Sequence, residues 1–315
     1  MIAARPQSPG PQQPPHNPGR FFKIGDPENP LLYCRPLAPC CEQTFRLKKP
    51  VRVTLLANRD LASNFALNLL LPELSQRHEL QVLCSDQVGS RPTAAGLDTV
   101  KFFEQTLPNE LLFPLIDAQK IEGELLTFRG LSRYLDKPIA SLNHPNTKEG
   151  LSRLAATRPD IVMCIRYGCI LDMDALSIPR LGVLNLHSGK LPEYRGVMAT
   201  FWAMLAGDDE LCTTLHWIHD ATIDTGPIIS IQSTVREQSA CYLSNTLRLY
   251  PTGCEAAISA INAVAAGDTL SLLERPASAR YFSFPDETAL AEGQSAGLRW
   301  VNPDFVARFL SRYQP

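Results

Sequence analysis

The sequence lacks several features that would assign it to other classes of protein. Its nine cysteines show no CxxC spacing, which argues against a zinc knuckle or a disulfide framework. No GxSxG turn is present, so a serine nucleophile on an elbow between strand and helix is not indicated. The net charge of −2 provides no basic footprint for nucleic acid or for an anionic membrane.

Long apolar runs are missing as well. No stretch approaches the roughly 20 apolar residues that span a bilayer. Residues 1–20 have no apolar core of the kind that a signal peptide contains. We therefore expect a cytoplasmic protein that has no membrane partner. We also expect the apolar-run cysteines Cys84, Cys164 and Cys212 to be reduced core residues.

With 315 residues, the chain can hold one large α/β domain or two smaller ones. Residues 1–48 are rich in Pro, Gln and Asn in their first half and lack sustained periodicity, which is typical of a disordered or extended arm. We predict a catalytic domain over residues 49–270. Residues 271–315 are predicted to form a short C-terminal extension that packs on this domain.

Buried strands and amphipathic helices alternate along the chain. This order predicts an α/β fold, mostly a parallel sheet with helices on both faces and right-handed crossovers. Residues 160–165 form a continuous apolar run, which is typical of a fully buried parallel strand. Further strands are predicted at 51–57, 80–84, 139–142, 183–187 and 213–219, and helices at 61–74, 94–119, 129–135, 147–157, 199–206, 239–265 and 303–313. The longest of these patterns contains Pro251, so we expect a kink or two helices there.

The stretch from residue 182 to 229 carries the candidate chemistry. Asn185 and His187 occupy alternate positions of a strand and therefore point to the same side. Asp224 lies in the loop after the next strand. An amide donor, an imidazole and a carboxylate suit acyl transfer to an amine, because they can stabilise an oxyanion and move a proton. Taken alone, a histidine in an apolar strand is more often a core residue, so both interpretations stay open at this point.

Short motifs with fixed spacing add to these three residues. They are N-L-H-S at 185–188, L-P at 191–192, R-G at 195–196 and D-T-G at 224–226. From about residue 51 to 231 the chain resembles the folate-dependent formyltransferases, the family of glycinamide ribonucleotide and methionyl-tRNA formyltransferases. The resemblance implies a Rossmann-like formyltransferase fold, 10-formyltetrahydrofolate as co-substrate and no metal. It also implies that Asn185, His187 and Asp224 are catalytic.

The same resemblance implies a folate pocket formed by the end of one strand and by the loop before the catalytic aspartate. The residues placed there are Cys164, Ile165, Arg166, Tyr167, Gly168, Ile170, Asp220 and Ile223. Exposed backbone at a strand end can pair with the edge of a pterin ring.

The sequence indicates the acceptor of the formyl group less directly than the donor. Family members that bind a phosphate ester have a glycine-rich turn after the first strand, whereas this chain has NRDLASN at 58–64. The tRNA enzymes carry a basic C-terminal β-barrel, and the roughly fifty residues after the predicted helix 239–265 are not basic. The segments NRDLASN, IRYGCIL, GVMATFW, LYPTGC and RYFSFP are similar to enzymes that formylate N-hydroxyornithine in pyoverdine-type hydroxamate siderophore assembly.

The resemblance therefore implies a small amine or hydroxylamine acceptor and no nucleic-acid partner. Candidate acceptor contacts are Asn58, Arg59, Asn64, Lys190, Tyr194 and Arg195. Three alternatives remain, namely a sugar N-formyltransferase that acts on a nucleotide-linked amino sugar, a hydrolase that releases formate, and a folate-binding module without turnover.

Overall fold

The computed structural model describes residues 50–86, 94–274 and 279–315. The predicted arm at 1–48 lies outside these residues. The strands are β1 Arg52–Asn58, β2 Glu79–Ser85, β3 Ala140–Ser141, β4 Ile161–Ile165, β5 Val183–His187, β6 Arg195–Gly196, β7 Glu210–Ile218, β8 Ile228–Val235 and β9 Tyr281–Phe282. The helices are α1 Leu61–Leu74, α2 Asp98–Lys101, α3 Phe113–Gln119, α4 Phe128–Leu131, α5 Lys148–Ala155, α6 Met173–Leu176, α7 Ala199–Ala206, α8 Tyr242–Leu247, α9 Tyr250–Ala266, α10 Glu287–Ser295 and α11 Pro303–Ser311.

Seven strands form the main sheet in the order β3-β2-β1-β4-β5-β7-β8. The first five of these strands are parallel, whereas β7 and β8 are antiparallel to their neighbours. This confirms the predicted α/β fold with a mostly parallel sheet. Carboxyl ends of parallel strands share one edge, so β1, β4 and β5 end side by side there.

The predicted elements agree best where apolar residues dominate the segment. Helices α1 and α7 have the predicted bounds, and all five residues of β4 are buried. The pattern over 239–265 resolves into two helices, α8 and α9, and Pro251 lies in the first turn of α9. Proline fits this position because the first N–H groups of a helix have no partner within the helix.

Several regions differ from the predictions. The pattern over 94–119 is not one regular α-helix, because a π-helix, Phe102–Leu112, joins α2 to α3. Pro108 lies inside this segment and has no N–H to donate, so the regular hydrogen-bond ladder is interrupted. Strand β8 and helix α10 were not predicted at all.

The buried residues give the domain its core on both sides of the sheet. Cys84, Cys164 and Cys212 are buried, as predicted, whereas Cys34, Cys40 and Cys41 lie outside the described residues. Within the described part of the chain, no helix combines the length and apolar character that crossing a membrane requires.

Candidate active site

One face of the sheet carries the polar side chains of the predicted site. Asn185 and His187 lie two residues apart on β5 and point to this face. Strand β7 runs antiparallel to β5 and places His216 directly opposite Asn185. The Asn185 amide nitrogen lies 3.0 Å from Nε2 of His216. Three polar side chains from two strands therefore meet on one face.

Asp224 completes this group from the loop between β7 and β8. Its φ of +54° is a left-handed conformation, which non-glycine residues rarely adopt. Its Oδ1 lies 3.4 Å from the Asn185 amide nitrogen and 3.5 Å from Nε2 of His216. Its Oδ2 lies 3.5 Å from Nδ1 of His187 and accepts the N–H of Gly196 at 2.8 Å. The loop thus brings the carboxylate within reach of all three side chains.

The charge of Asp224 follows from these contacts. Burial alone would raise the pKa of its carboxyl, because removal from water disfavours the charged form. The charge of His187, the hydrogen bond and charge of His216, and the N–H of Gly196 outweigh this effect and lower the pKa to about 2. Asp224 is therefore ionised across the physiological pH range.

The two imidazole rings are oriented by backbone carbonyl groups. Nε2 of His187 lies 2.6 Å from the carbonyl oxygen of Tyr194, and Nδ1 of His216 lies 2.9 Å from that of Trp217. A carbonyl oxygen only accepts hydrogen bonds, so each of these ring nitrogens carries the hydrogen. Nε2 of His216 faces the Asn185 amide nitrogen and Oδ1 of Asp224, and these contacts orient the amide.

Gly196 is held in position by strand β9, which belongs to the C-terminal part of the chain. Strand β6 pairs with β9, and Gly196 has a φ of +99°. A methyl group at this position would overlap the carbonyl oxygen of Phe282. The β6–β9 pair thus holds the N–H that binds Asp224.

Replacing Gly196 by alanine should therefore lower the free energy of unfolding by about 3 kcal/mol, through the left-handed backbone and the overlap together. Chemical denaturation measures this change. Gly207→Ala is the matched control, because Gly207 also has a positive φ (+84°) but has open space around it. If both variants lose the same stability, the overlap with Phe282 contributes nothing.

The residues predicted for the folate pocket divide into two groups. Cys164 and Ile165 are buried in β4, between β1 and β5, so only the backbone beyond them leaves the sheet. Beyond the strand, Tyr167 donates its hydroxyl hydrogen to the carbonyl of Leu142 at 2.6 Å. The N–H of Gly168 is bonded to the hydroxyl of Ser85 at 2.9 Å.

The other predicted folate residues lie at the surface or in the loop before Asp224. Ile170 is 54% exposed. Asp220 accepts the N–H of Thr222 within the loop at 2.7 Å. The carbonyl of Ile223 accepts from Nε of Arg195 at 2.9 Å, which ties the Asp224 loop to β6.

Arg166 was predicted through its backbone, but its side chain has a separate role. The residue has a φ of +54°, and its guanidinium turns towards two carboxylates. Nε lies 3.0 Å from Oδ2 of Asp60, and Nη2 lies 3.2 Å from Oε2 of Glu104. Sequence reasoning missed this ion triad, because the left-handed backbone reverses the side-chain direction.

The residues predicted to contact the acceptor differ in accessibility. Asn58 and Asn64 are fully buried and offer no accessible side-chain surface. Asn58 donates to Asp60 at 2.9 Å, and Asn64 accepts from the hydroxyl of Tyr313 at 2.5 Å. Arg59 is partly exposed and pairs with Asp86 at 3.2 Å.

The other three residues predicted to contact the acceptor lie around the loop after β5. Lys190 is half-exposed and pairs with Glu193 at 3.2 Å. Tyr194 is buried, bonds Asp208 through its hydroxyl, and contributes to the site through the carbonyl that holds His187. Arg195 is bonded to the loop before Asp224, as described above.

The structure thus brings Asn185, His187 and Asp224 together and adds two groups that sequence reasoning missed. His216 could have been found only from the register between β5 and β7. The N–H of Gly196 could have been found only from the β6–β9 pair. Among the described residues, no group of three or more His, Cys, Asp or Glu side chains is arranged to hold a metal ion.

Part of the chain is similar to known proteins. Residues 129–238 match the family model described as formyl transferase. This part of the chain is therefore similar to formyl transferases. The matched residues include Asn185, His187, His216 and Asp224.

Methionyl-tRNA formyltransferases are similar in sequence to part of this chain. The chain is 36% identical over 134 residues to that of Ectopseudomonas mendocina (strain ymp), a match that covers 42% of each chain. It is 31% identical over 182 residues to that of Roseiflexus sp. (strain RS-1), covering 58% of this chain and 54% of the relative. The chain spans about half the length of the curated relatives it matches.

The fold of the chain is also found in solved structures. A 4-N formyltransferase from Francisella tularensis is 11% identical and gives a TM-score of 0.50. The match covers 74% of this chain and 76% of that chain. At this identity the likeness concerns the fold alone.

Proposed function

We propose that the chain is an enzyme that transfers a formyl group from 10-formyltetrahydrofolate to an amine or hydroxylamine nitrogen of a small molecule. One observation carries this proposal. In the part of the chain that is similar to formyl transferases, the Asp224 carboxylate lies within 3.5 Å of nitrogen atoms of Asn185, His187 and His216. Such a group suits attack of an amine on a carbonyl carbon, in which an oxyanion forms and a proton moves.

10-Formyltetrahydrofolate, the proposed formyl donor, fits the chemistry of these residues. Attack on the formyl carbon places negative charge on the formyl oxygen. The amide N–H of Asn185 and the Nδ1–H of His187 converge on the region of Asp224, and they supply two hydrogen-bond donors for this charge. Their contacts with Asp224, at 3.4 and 3.5 Å, are long, which leaves both donors able to turn towards an oxyanion.

His187 and Asp224 then carry out the two proton transfers of the reaction. Nδ1 of His187 faces the Asp224 carboxylate, and a proton on this nitrogen can pass to the leaving folate nitrogen. Asp224 accepts the proton that the acceptor nitrogen loses, through a water molecule. The backbone of residues 166–170 and of 220–223 is proposed to hold the folate.

His216 is proposed to act through Asn185 as a positioning residue. We expect His216→Ala to lower kcat about 10- to 100-fold, because the Asn185 amide loses the acceptor that orients it. His219→Ala is the matched control, since His219 is exposed and only three residues away. Steady-state kinetics tests this, and equal rates for wild type and His216→Ala would remove the role. A structural role alone would lower thermal stability without lowering kcat.

The acceptor proposed is N5-hydroxyornithine. This rests on the glycine-free turn at 58–64 and on the segments that resemble hydroxyornithine formyltransferases. The names of the relatives favour a second candidate, the aminoacyl end of methionyl-tRNA. The net charge of −2 argues against it, because RNA binding depends largely on contacts to phosphate groups.

A panel assay separates these acceptors. The protein is incubated with 10-formyltetrahydrofolate and, in separate reactions, N5-hydroxyornithine, ornithine, lysine, a nucleotide-linked amino sugar or methionyl-tRNA. Folate absorbance and product mass are followed. We expect formylated product with N5-hydroxyornithine at the highest kcat/KM. Product only with the sugar or the tRNA overturns this acceptor, formate without acceptor indicates a hydrolase, and folate binding without any product indicates a module without turnover.

We further propose the domain division 1–48, 49–270 and 271–315. The pairing of β6 with β9 and the contact of Tyr313 with Asn64 support a C-terminal extension that packs on the rest of the domain.

A further inference from the structure

The peptide group between Tyr194 and Arg195 holds the ring of His187. Its carbonyl oxygen, which belongs to Tyr194, lies 2.6 Å from Nε2 of His187. Its N–H, which belongs to Arg195, donates to the carbonyl of Arg280 at 3.1 Å. A peptide group is planar, so contacts at its oxygen and at its N–H together fix its plane. The orientation of the His187 ring therefore depends on the segment that carries Arg280.

The side chain of Tyr194 anchors the same peptide group through its aromatic ring. Tyr194 is 4% exposed, and its ring stacks against that of Phe282, with the ring centroids 5.8 Å apart. The guanidinium of Arg280 lies over both rings, 5.6 Å from the centroid of Tyr194 and 5.5 Å from that of Phe282. A cation over the face of an aromatic ring is attracted to it, so Arg280 helps to keep the Tyr194 ring in place.

The hydroxyl of Tyr194 provides a further anchor. It donates to Oδ2 of Asp208 at 2.8 Å. Burial and this hydrogen bond raise the pKa of Tyr194 to about 12, so the hydroxyl keeps its hydrogen at neutral pH. Hydrogen bonds to a carboxylate are among the stronger ones in proteins. Asp208 lies between α7 and β7, so a third part of the chain holds Tyr194.

We infer that Asp208 and Arg280 are positioning residues, which act on His187 through Tyr194. Together they hold the Tyr194 carbonyl where it binds Nε2 of His187 and leaves Nδ1 facing Asp224. This inference rests on the proposed function, in which His187 is both a hydrogen-bond donor and a proton carrier. It gives Tyr194 a role other than direct contact with the acceptor, which the sequence predicted.

The hydrogen on Nε2 of His187 allows a test by NMR that needs no turnover. In Asp208→Ala, we expect this hydrogen to exchange with water about tenfold faster than in the wild type, because the carbonyl that binds it is held less firmly. The Nδ1 hydrogen of His216, bonded to the carbonyl of Trp217, is the internal reference and should exchange at the wild-type rate. A spectrum of His187→Ala assigns the signal.

Two further variants of the same loop serve as controls. Asp209→Ala is the matched control, because Asp209 is adjacent and exposed, and its side chain bonds Gln238. Its exchange rates should equal those of the wild type. Asp208→Asn keeps a side-chain oxygen that can accept the Tyr194 hydroxyl, so it should restore most of the wild-type rate.

Steady-state kinetics with 10-formyltetrahydrofolate and N5-hydroxyornithine gives the matching readout for catalysis. We expect Asp208→Ala to lower kcat about three- to tenfold and to leave both KM values unchanged, because a misplaced His187 impairs the reaction rather than binding. Arg280→Ala should act in the same direction with a smaller effect, since Arg280 is exposed and its attraction to the rings is correspondingly weaker.

Tyr194→Phe removes the same hydrogen bond from the other partner. It gives a second measurement if Asp208→Ala folds poorly, which thermal unfolding would reveal. Equal acceleration of both histidine hydrogens would indicate general loosening and overturn the inference, and so would unchanged exchange at His187 in both variants. A rise in KM for the acceptor in Tyr194→Phe, without faster exchange, would overturn it in favour of direct contact. If the wild type formylates no acceptor, the proposed function fails, whereas the exchange rates still decide the inference.

Discussion

Replacing Asp224 by asparagine should lower kcat about 10³- to 10⁴-fold while the protein stays folded. The substitution removes the negative charge that faces Nδ1 of His187 and replaces one carboxylate oxygen with an NH₂ group, which donates hydrogen bonds and does not accept them. Measured kcat for formyl transfer tests this prediction. His187→Ala should have an effect of similar size, because it removes both a donor to the oxyanion and the proton carrier.

Asp268→Asn is the control, because Asp268 is exposed and lies beyond the end of α9. Its kcat should match that of the wild type. Circular dichroism on all three variants distinguishes a lost reaction from a lost fold. Unchanged turnover in both Asp224→Asn and His187→Ala would refute the proposed roles.

Replacing Arg166 by methionine should lower the free energy of unfolding at pH 8 by about 3–5 kcal/mol. Methionine keeps much of the length of the side chain but leaves the carboxylates of Asp60 and Glu104 buried without a counter-charge. The exposed pair of Arg133 and Glu122 provides the control, because Arg133→Met should cost less than about 1 kcal/mol. Urea denaturation measures both changes.

The pKa of Glu104 determines how the loss of stability in Arg166→Met depends on pH. The pKa of Glu104 in the folded state, about 7, lies above its ordinary value of 4.5, so the folded state binds this proton more tightly. Between pH 4.5 and 7 this group therefore lowers stability as the pH rises. Loss of Arg166 removes an interaction that lowers this pKa, so the defect of Arg166→Met should shrink as the pH falls.

The double variant Arg166→Met with Glu104→Gln tests whether uncompensated charge causes the loss of stability. Its loss of stability at pH 8 should be smaller than that of Arg166→Met alone, because one of the two uncompensated charges is gone. A defect that is the same at pH 5 and pH 8, and that Glu104→Gln does not relieve, would show that packing rather than charge is lost.

The sequence predicted the central part of the fold for physical reasons. Strand β4 is buried on both faces and therefore is a continuous apolar run, and α1 has the spacing of a buried helix. Strand β8 was missed because it is an edge strand in which only Ile228 is buried, so its pattern is weak. Helix α10 was missed because few of its residues are apolar.

The site residues that lie in short sequence motifs could be predicted. The residues that join the site only through the pairing of strands could not. Asn185, His187 and Asp224 follow from their motifs. His216 joins them only because β7 pairs antiparallel with β5 in one register, and a shift by one residue would turn it to the other face. Arg166 meets Asp60 and Glu104 from positions 106 and 62 residues away in the chain, and no local sequence pattern indicated these contacts.

The central claim is transfer of an intact formyl group, and isotope transfer tests it most directly. The protein is incubated with N5-hydroxyornithine and with 10-formyltetrahydrofolate that carries deuterium on the formyl carbon, and the products are analysed by mass spectrometry. The proposed function predicts one deuterated N-formyl product for each tetrahydrofolate released. Deuterium found only in free formate, or no release of tetrahydrofolate, would contradict it.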